Sequence, residues 1–261
     1  MSKKLLSFLL AAVFMVGALV AGCGGQQQDA KEAKSDKKVL RIACNADFAP
    51  FEFQDKDGKY VGFDMDLIRA ISKEMGYEAD IQNLNFDGLI PALSAKNIDV
   101  AISGMTITEE RKGKVLFSEP YYKSGLTIAV KSDNNDIKSF SDLKGKKIAV
   151  QIGTTSATEA KKIEGADVKE FNSSADTFTE LGNSGVDAVI NDRPVNDYYI
   201  VQNPKAQVKV LDEVLTAEDY GIALNKDDKE LGEKINAALK KLKENGEYDK
   251  IYAQWFGKKS N

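Results

Sequence analysis

The chain carries one design twice. Residues 91–104 and 178–192 each read as a short helix, a polar turn, an aspartate and an apolar run ending in small or polar residues, and the two aspartates, Asp99 and Asp187, lie 88 positions apart. A unit of this kind leaves an apolar face that must be covered, so its repetition predicts two similar halves, each around its own sheet. The rest of the chain keeps the same rhythm. Strands are expected at 39–43, 99–103, 127–131, 147–151 and 187–190, and helices at 63–75, 86–95, 157–163, 229–243 and 248–256. In the first of these helices Leu67, Ile68, Ile71 and Met75 share a face, and Gly76 is the stop. Alternation of short apolar strands with helices predicts an α/β fold with mostly parallel strands. Guests of such sheets sit outside the carboxyl ends of the strands, which directs attention to Ser103-Gly104 and to Asn191-Asp192.

Composition removes much chemistry. None of the 261 residues is His, so Ser-His-Asp and Cys-His nucleophile pairs and His-ligated metals are excluded, and no metal or cofactor is called for. With 36 Lys+Arg against 40 Asp+Glu the net charge is −4, which argues against nucleic acid as a partner. The Lys runs at 144–147 and 240–243 read as solvated faces, and the sequon Asn172-Ser-Ser174 as chance.

The N-terminus reads as a secretory signal over residues 1–22. Lys3 and Lys4 precede an apolar run from Leu5 to Ala21 that ends in Val20-Ala-Gly-Cys23. Small residues before a thiol resemble the lipobox of bacterial lipoproteins, in which the Cys is acylated and becomes residue one; the alternative is an uncleaved membrane anchor. Residues 23–38 hold Gly, Gln, Lys, Asp, Glu, Ser and Ala, too polar to bury a core, and are expected to be a flexible tether. Losing the signal takes the charge to −6, since Lys3 and Lys4 go with it. Cys44 is then alone, and its neighbours Leu40, Ile42 and Ala43 make it a buried thiol.

Four segments complement one another chemically. In Ser103-Gly-Met-Thr-Ile-Thr-Glu-Glu-Arg111, Gly104 and Ser103 end a strand, Thr106 adds a hydroxyl, and Arg111 offers a planar fork for a carboxylate. The same residues also fit a plain N-capped helix start with Arg111 in solvent. Gln151-Ile-Gly-Thr-Thr-Ser156 joins a strand to a helix, where free amides near Thr155 favour an anion, or simply cap the helix. Asp192 ends the second echoed strand and is either an acceptor for an ammonium group or a turn residue. In Asn45-Ala-Asp-Phe-Ala-Pro-Phe-Glu-Phe53, Phe48 and the more distant Phe86 are placed to clamp an alkyl chain, while Phe51 and Phe53 are expected in the core. Together the segments suit a zwitterion, with an anion pole at Arg111 and Thr155, a cation pole at Asp192 and apolar walls between. A free α-amino acid has that form.

The sequence resembles the polar amino-acid-binding proteins of bacterial ABC importers. The carriers are Phe48-Ala-Pro-Phe-Glu-Phe53, Val61-Gly-Phe-Asp-Met-Asp-Leu67, Ile107-Thr-Glu-Glu-Arg111, Phe117-Ser-Glu-Pro-Tyr-Tyr122, Gly153-Thr-Thr155 and Asn245-Gly-Glu-Tyr-Asp-Lys-Ile-Tyr-Ala-Gln-Trp-Phe256. The resemblance implies a two-lobed periplasmic-binding-protein fold of type II, with mixed sheets, helices on both faces and two hinge strands near 121–125 and 216–220. Lobe one would be 39–123 plus 219–257, lobe two 124–218, and 258–261 a tail. It also implies roles. Arg111 becomes the α-carboxylate clamp, helped by Thr106 and the Thr155 amide, and Asp192 the α-ammonium partner, with Gly104 or Ser103 giving a backbone acceptor. Phe48 and Phe86 become walls, and Asn45 and Gln151 face the side chain of the guest.

Here the chain departs from its relatives, because glutamine and basic-amino-acid binders usually have Asp where it has Asn45. Two neutral amides lean toward glutamine, since a buried cation needs a counter-charge; Asp47 nearby restores one, and arginine or lysine is the alternative. The expected partners are a free L-amino acid, a membrane permease with a separate ATPase (the chain has no Walker A motif) and the membrane through lipidated Cys23. The chain is expected to act as a monomer outside the cytoplasm. Competing readings are an amino-acid sensor or adhesin, and a dehydratase-type enzyme using Glu52 or Asp192 as acid or base.

Overall fold

Asp99 and Asp187 hold equivalent positions in two sheets. Each donates its N–H to the carbonyl of a residue on the neighbouring strand, Asp99 to Arg41 and Asp187 to Lys147, both at 2.8 Å. Each carboxylate in turn accepts that residue's N–H, from Arg41 at 2.9 Å and from Lys147 at 2.8 Å. The echo is therefore a register device, which pins an incoming strand to its parallel neighbour at the residue just before it.

The computed structural model describes residues 38–257. One sheet runs Tyr77–Asn83, Lys38–Cys44, Val100–Ala101, Ala223–Asn225 and Val115–Phe117. The other runs Asp167–Phe171, Lys147–Gln151, Ala188–Asp192, Tyr122–Lys131 and Val208–Val210. In both, the first three strands are parallel and the last two join antiparallel. The echoed strand is third in each sheet and carries its carboxyl end to the same edge as its parallel neighbour.

Helices cover both faces of each sheet, which is why the strands read as near-continuous apolar runs. Leu40, Ile42 and Cys44 pack with the helices Phe63–Glu74, Lys229–Glu244 and Glu247–Phe256, while Ala43 faces Leu89 and Leu93 of Leu89–Ser94. In the second sheet Ile148 and Val150 pack on Ala157 and Ala160 of Thr155–Ala160, and Ala149 on Phe178 and Leu181 of Ser174–Gly182. Each fully buried Ile or Leu here contributes roughly 1.5–3 kcal/mol. Cys44 is buried as expected, with burial pushing its thiol up to about 12 and its Sγ 3.8 Å from Met65 Sδ.

The chain passes between the sheets on two strands. Tyr122–Lys131 leaves the first lobe, and its start pairs antiparallel with Ala217–Tyr220, from Tyr122 against Tyr220 to Gly125 against Ala217. The approach is close at Gly125, where a Cβ would lie 2.4 Å from the Thr216 carbonyl oxygen.

Several expectations need correction. The helix expected at 86–95 is a 3₁₀ turn, Phe86–Gly88, followed by Leu89–Ser94. Phe51 is fully buried, but Phe53 is only half-buried, between the rings of Tyr198 and Trp255 at 6.1 and 5.9 Å. Lys38 opens the first strand instead of ending a tether. The signal at 1–22, Cys23, the rest of the tether and the tail 258–261 lie outside the described residues. Among the described residues no helix is long and apolar enough to cross a membrane.

Candidate functional site

The carboxyl ends of the central strands in both sheets meet at one cavity. From the first sheet come Asn45, one residue past Lys38–Cys44, and Ser103 and Gly104, just past Val100–Ala101. From the second come Gln151 and Asp192, the last residues of their strands. The short strand Asp47–Phe48 adds Phe48, the 3₁₀ turn Phe86–Gly88 adds Phe86, a loop adds Thr106, the short helix Glu109–Lys112 adds Arg111, and Thr155 opens Thr155–Ala160. All ten residues singled out from the sequence thus line the same cavity. Two more, Glu52 and Thr154, were not picked as lining. Its free room is about 10 Å³, near the roughly 10–15 Å³ that one water needs, so anything larger enters only after the walls part.

Arg111 is buried, not solvated, although Thr108 does cap its helix by accepting the Arg111 N–H at 3.2 Å. Its Nη1 donates to the Thr106 carbonyl at 2.7 Å and its Nη2 to the Gly153 carbonyl, on the other lobe, at 3.0 Å. The guanidinium also lies over the Phe86 ring, 5.4 Å from its centre. Two of five N–H donors are therefore engaged by carbonyls that hold the fork in place. Burial lowers the Arg111 pKa from its ordinary value, while Glu218, Glu110 and Asp192 oppose that.

Asp192 sits at the opposite pole, buried, with Oδ1 accepting from the Ser124 hydroxyl at 2.7 Å. Burial and then the charge of Glu218 push it up to about 7, against hydrogen bonding from Ser124 and the pull of Arg111. Phe48 packs on the backbone at Gly104, whose φ is +50° and whose added Cβ would lie 2.8 Å from the ring. Only glycine meets both conditions without strain.

The Thr106 hydroxyl does not point an available hydrogen at the cavity, as the sequence had suggested. It donates to Glu218 Oε2 at 2.6 Å, and the Thr155 hydroxyl donates to the same oxygen at 3.0 Å. Asn45 and Gln151 likewise face each other: Gln151 Nε2 donates to Asn45 Oδ1 at 2.6 Å and to the Asn172 carbonyl at 3.0 Å. At this end lies Asp47, whose Oδ1 is buried with no hydrogen-bond partner and whose carboxyl is pushed up to about 6 by burial.

Beneath Ser103 and Gly104 lies a buried carboxyl pair. Glu52 accepts from the Ser103 hydroxyl at 2.7 Å, and Asp64 from the Gly104 N–H at 2.9 Å and the Tyr121 hydroxyl at 2.7 Å. Burial raises both, Asp64 to about 6, and each carries one buried oxygen without a donor, Glu52 Oε2 and Asp64 Oδ1. One proton shared between the two would serve both oxygens. Glu218 was missed altogether, because nothing in Val214-Leu-Thr-Ala-Glu-Asp-Tyr220 marks it until the hinge strands pair.

Known proteins resemble the chain over most of its length. The family described as "Bacterial extracellular solute-binding proteins, family 3" matches residues 40–258. A probable histidine-binding protein of Neisseria gonorrhoeae is 38% identical over 259 residues, 95% of this chain and 95% of that one. The arginine-binding extracellular protein ArtP of Bacillus subtilis (strain 168) is 37% identical over 260 residues, 98% of each. Among solved structures, an ancestral arginine-binding protein bound to arginine superposes with TM-score 0.82 at 50% identity, over 84% of this chain and 98% of that one.

Proposed function

The chain belongs to the bacterial extracellular solute-binding proteins of family 3, and on that premise we propose that it captures a free L-amino acid with a basic side chain, arginine first, between its lobes and delivers it to the membrane permease of an ABC importer. One arrangement carries the reading: Arg111 and Asp192, supplied from opposite sides of the cleft, line one cavity walled by Phe48 and Phe86. A guest with a carboxylate at one end and an ammonium group at the other satisfies both.

Lobe one is taken as 39–123 with 219–257, and lobe two as 124–218. The α-carboxylate is assigned to the remaining Arg111 donors and the amides of Thr106 and Thr155. The α-ammonium group is assigned to Asp192 and the carbonyls of Ser103-Gly104. Capture proceeds by hinge closure on the paired strands, and the closed form is what the permease meets. Acylated Cys23 would keep the receptor near it.

The sequence alone leaned to glutamine on the two amides at 45 and 151. Relatives named for arginine and histidine favour the basic alternative, and charge supports it. Asp192 lines the cavity and Glu218 lies behind it, two carboxyls against the cation Arg111, so a guest of net positive charge is preferred over a neutral one. Asp47 is the counter-charge that Asn45 lacks. A glutamine reading keeps one specific support, a solved ancestral arginine-binding protein bound to glutamine, 49% identical with TM-score 0.81.

A thermal-shift screen against the twenty amino acids tests the proposal, because ligand binding to the native state raises the melting temperature. Arginine is expected to give the largest shift, with lysine or histidine next. A shift with glutamine and none with the three basic amino acids would overturn the assignment.

A further inference from the structure

One buried carboxylate near the site touches both halves of the molecule and lines neither wall of the cavity. Glu218 lies on the returning hinge strand, where its register partner is Ser124 on the outgoing one. It is 5% exposed. Its Oε2 receives the Thr106 hydroxyl, from the loop that ends in Arg111, at 2.6 Å and the Thr155 hydroxyl, from the opposing lobe, at 3.0 Å. Its Oε1 receives the Thr216 hydroxyl at 3.2 Å. Ser124 meanwhile holds Asp192 at 2.7 Å. The paired hinge residues thus orient both poles, one through Asp192 and the other through the two threonines.

We propose that Glu218 is a positioning residue that latches the two lobes together at the hinge, without contact with the guest, by receiving one hydroxyl from each side of the cleft. The geometry distinguishes it from the other cross-cleft bonds. Asn45 with Gln151 lies on the cavity wall, so an arriving guest competes with that bond, and Arg111 meets the Gly153 carbonyl with a donor of a residue that itself binds the guest. Glu218 falls within 124–218, so the bond that joins the lobes is the one from the Thr106 hydroxyl at 2.6 Å, and its acceptor lies outside the cavity lining. It therefore favours closure whether or not the cleft is filled, and opening must break it. Because each hydroxyl has one hydrogen, the latch also withholds that hydrogen from the cavity.

The inference rests on the two-lobed capture reading but not on which amino acid is captured. Its test is the distance between the lobes, measured by electron–electron double resonance with spin labels at exposed Lys56→Cys and Lys138→Cys. With no amino acid added, Glu218→Ala is expected to raise the open population about fivefold or more, the loss of one charge-assisted hydrogen bond across the cleft. Glu218→Gln keeps an acceptor oxygen and should fall close to the parent. Thr106→Val removes the donor of the bond between the lobes, leaves Glu218 in place and should reproduce the opening, so it carries the test if Glu218→Ala fails to fold. Saturating arginine should close every variant again. Unchanged lobe distances in Thr106→Val, or in a folded Glu218→Ala, overturn the latch. Opening in the variants combined with no response to arginine would leave the latch standing and remove the specificity reading instead.

Discussion

At the scale of single residues the account depends on charges held in a dry place. Arg111→Ala and Asp192→Ala each leave the opposite end of the guest unpaired, and losing one partner of a buried charge pair costs roughly 2–5 kcal/mol. Calorimetry is expected to show at least about tenfold weaker arginine binding in either variant, the equivalent of 1.4 kcal/mol. Asp192 also fixes the pH dependence. Its carboxyl is pushed up to about 7, and a bound ammonium group favours the ionised form, so binding near neutral pH releases a proton. Affinity should fall as pH drops below about 7, by up to tenfold per unit, and titrations in buffers of different ionisation enthalpy should report the proton. A flat profile between pH 8 and 5 would contradict the assignment. Asp47→Asn tests the side-chain end, with arginine affinity falling and any glutamine affinity little changed. Asn45, Ser103, Gly104, Gln151 and Asp192 were legible because they sit at the ends of apolar strands, a feature a sequence displays. Glu218 was not legible, since its partners Thr106 and Thr155 lie 112 and 63 residues away and only the hinge pairing brings them together.

At the scale of elements the legible parts were those with two-sided burial. The strand Lys147–Gln151 matched its expected span, and the long helices near the C-terminus matched within a residue, because apolar periodicity marks them. The strands Tyr77–Asn83 and Asp167–Phe171 were missed. Both lie at the sheet edge, mix Asp and Glu or Lys with few apolar residues, and are half-exposed, so they gain their conformation from parallel pairing and not from their own pattern. The carboxyl pair under the Ser103-Gly104 segment makes a prediction at this scale. Glu52→Gln resembles a protonated carboxyl and should retain binding, whereas Glu52→Ala leaves the Ser103 hydroxyl without its acceptor and should weaken it. Infrared difference spectra at neutral pH should contain the carbonyl band of a protonated carboxyl, lost in Glu52→Gln. Absence of that band in the parent would show that no proton is shared. At the hinge, Gly125→Ala forces a Cβ to within 2.4 Å of the Thr216 carbonyl oxygen, and should lower the melting temperature by several degrees.

At the scale of the whole molecule, two sheets of the same strand order face each other across a cleft, joined by two paired strands. Closure brings together what neither lobe has alone: a guanidinium, a carboxylate and the aromatic walls between them. The raised carboxyls set an opposing trend in stability. Asp64 and Asp192 are more easily protonated folded than unfolded, so without amino acid the fold gains stability as pH falls from about 8 toward 5, while the guest is held more tightly in the other direction. The central claim is that the cleft grips both ends of a free amino acid at once. Titration calorimetry at pH 8 with arginine, arginine amide and Nα-acetyl-arginine tests it most directly, since the derivatives keep the side chain and remove one end each. The account predicts tight binding of arginine and at least tenfold weaker binding of both derivatives; equal affinity for either derivative would contradict it.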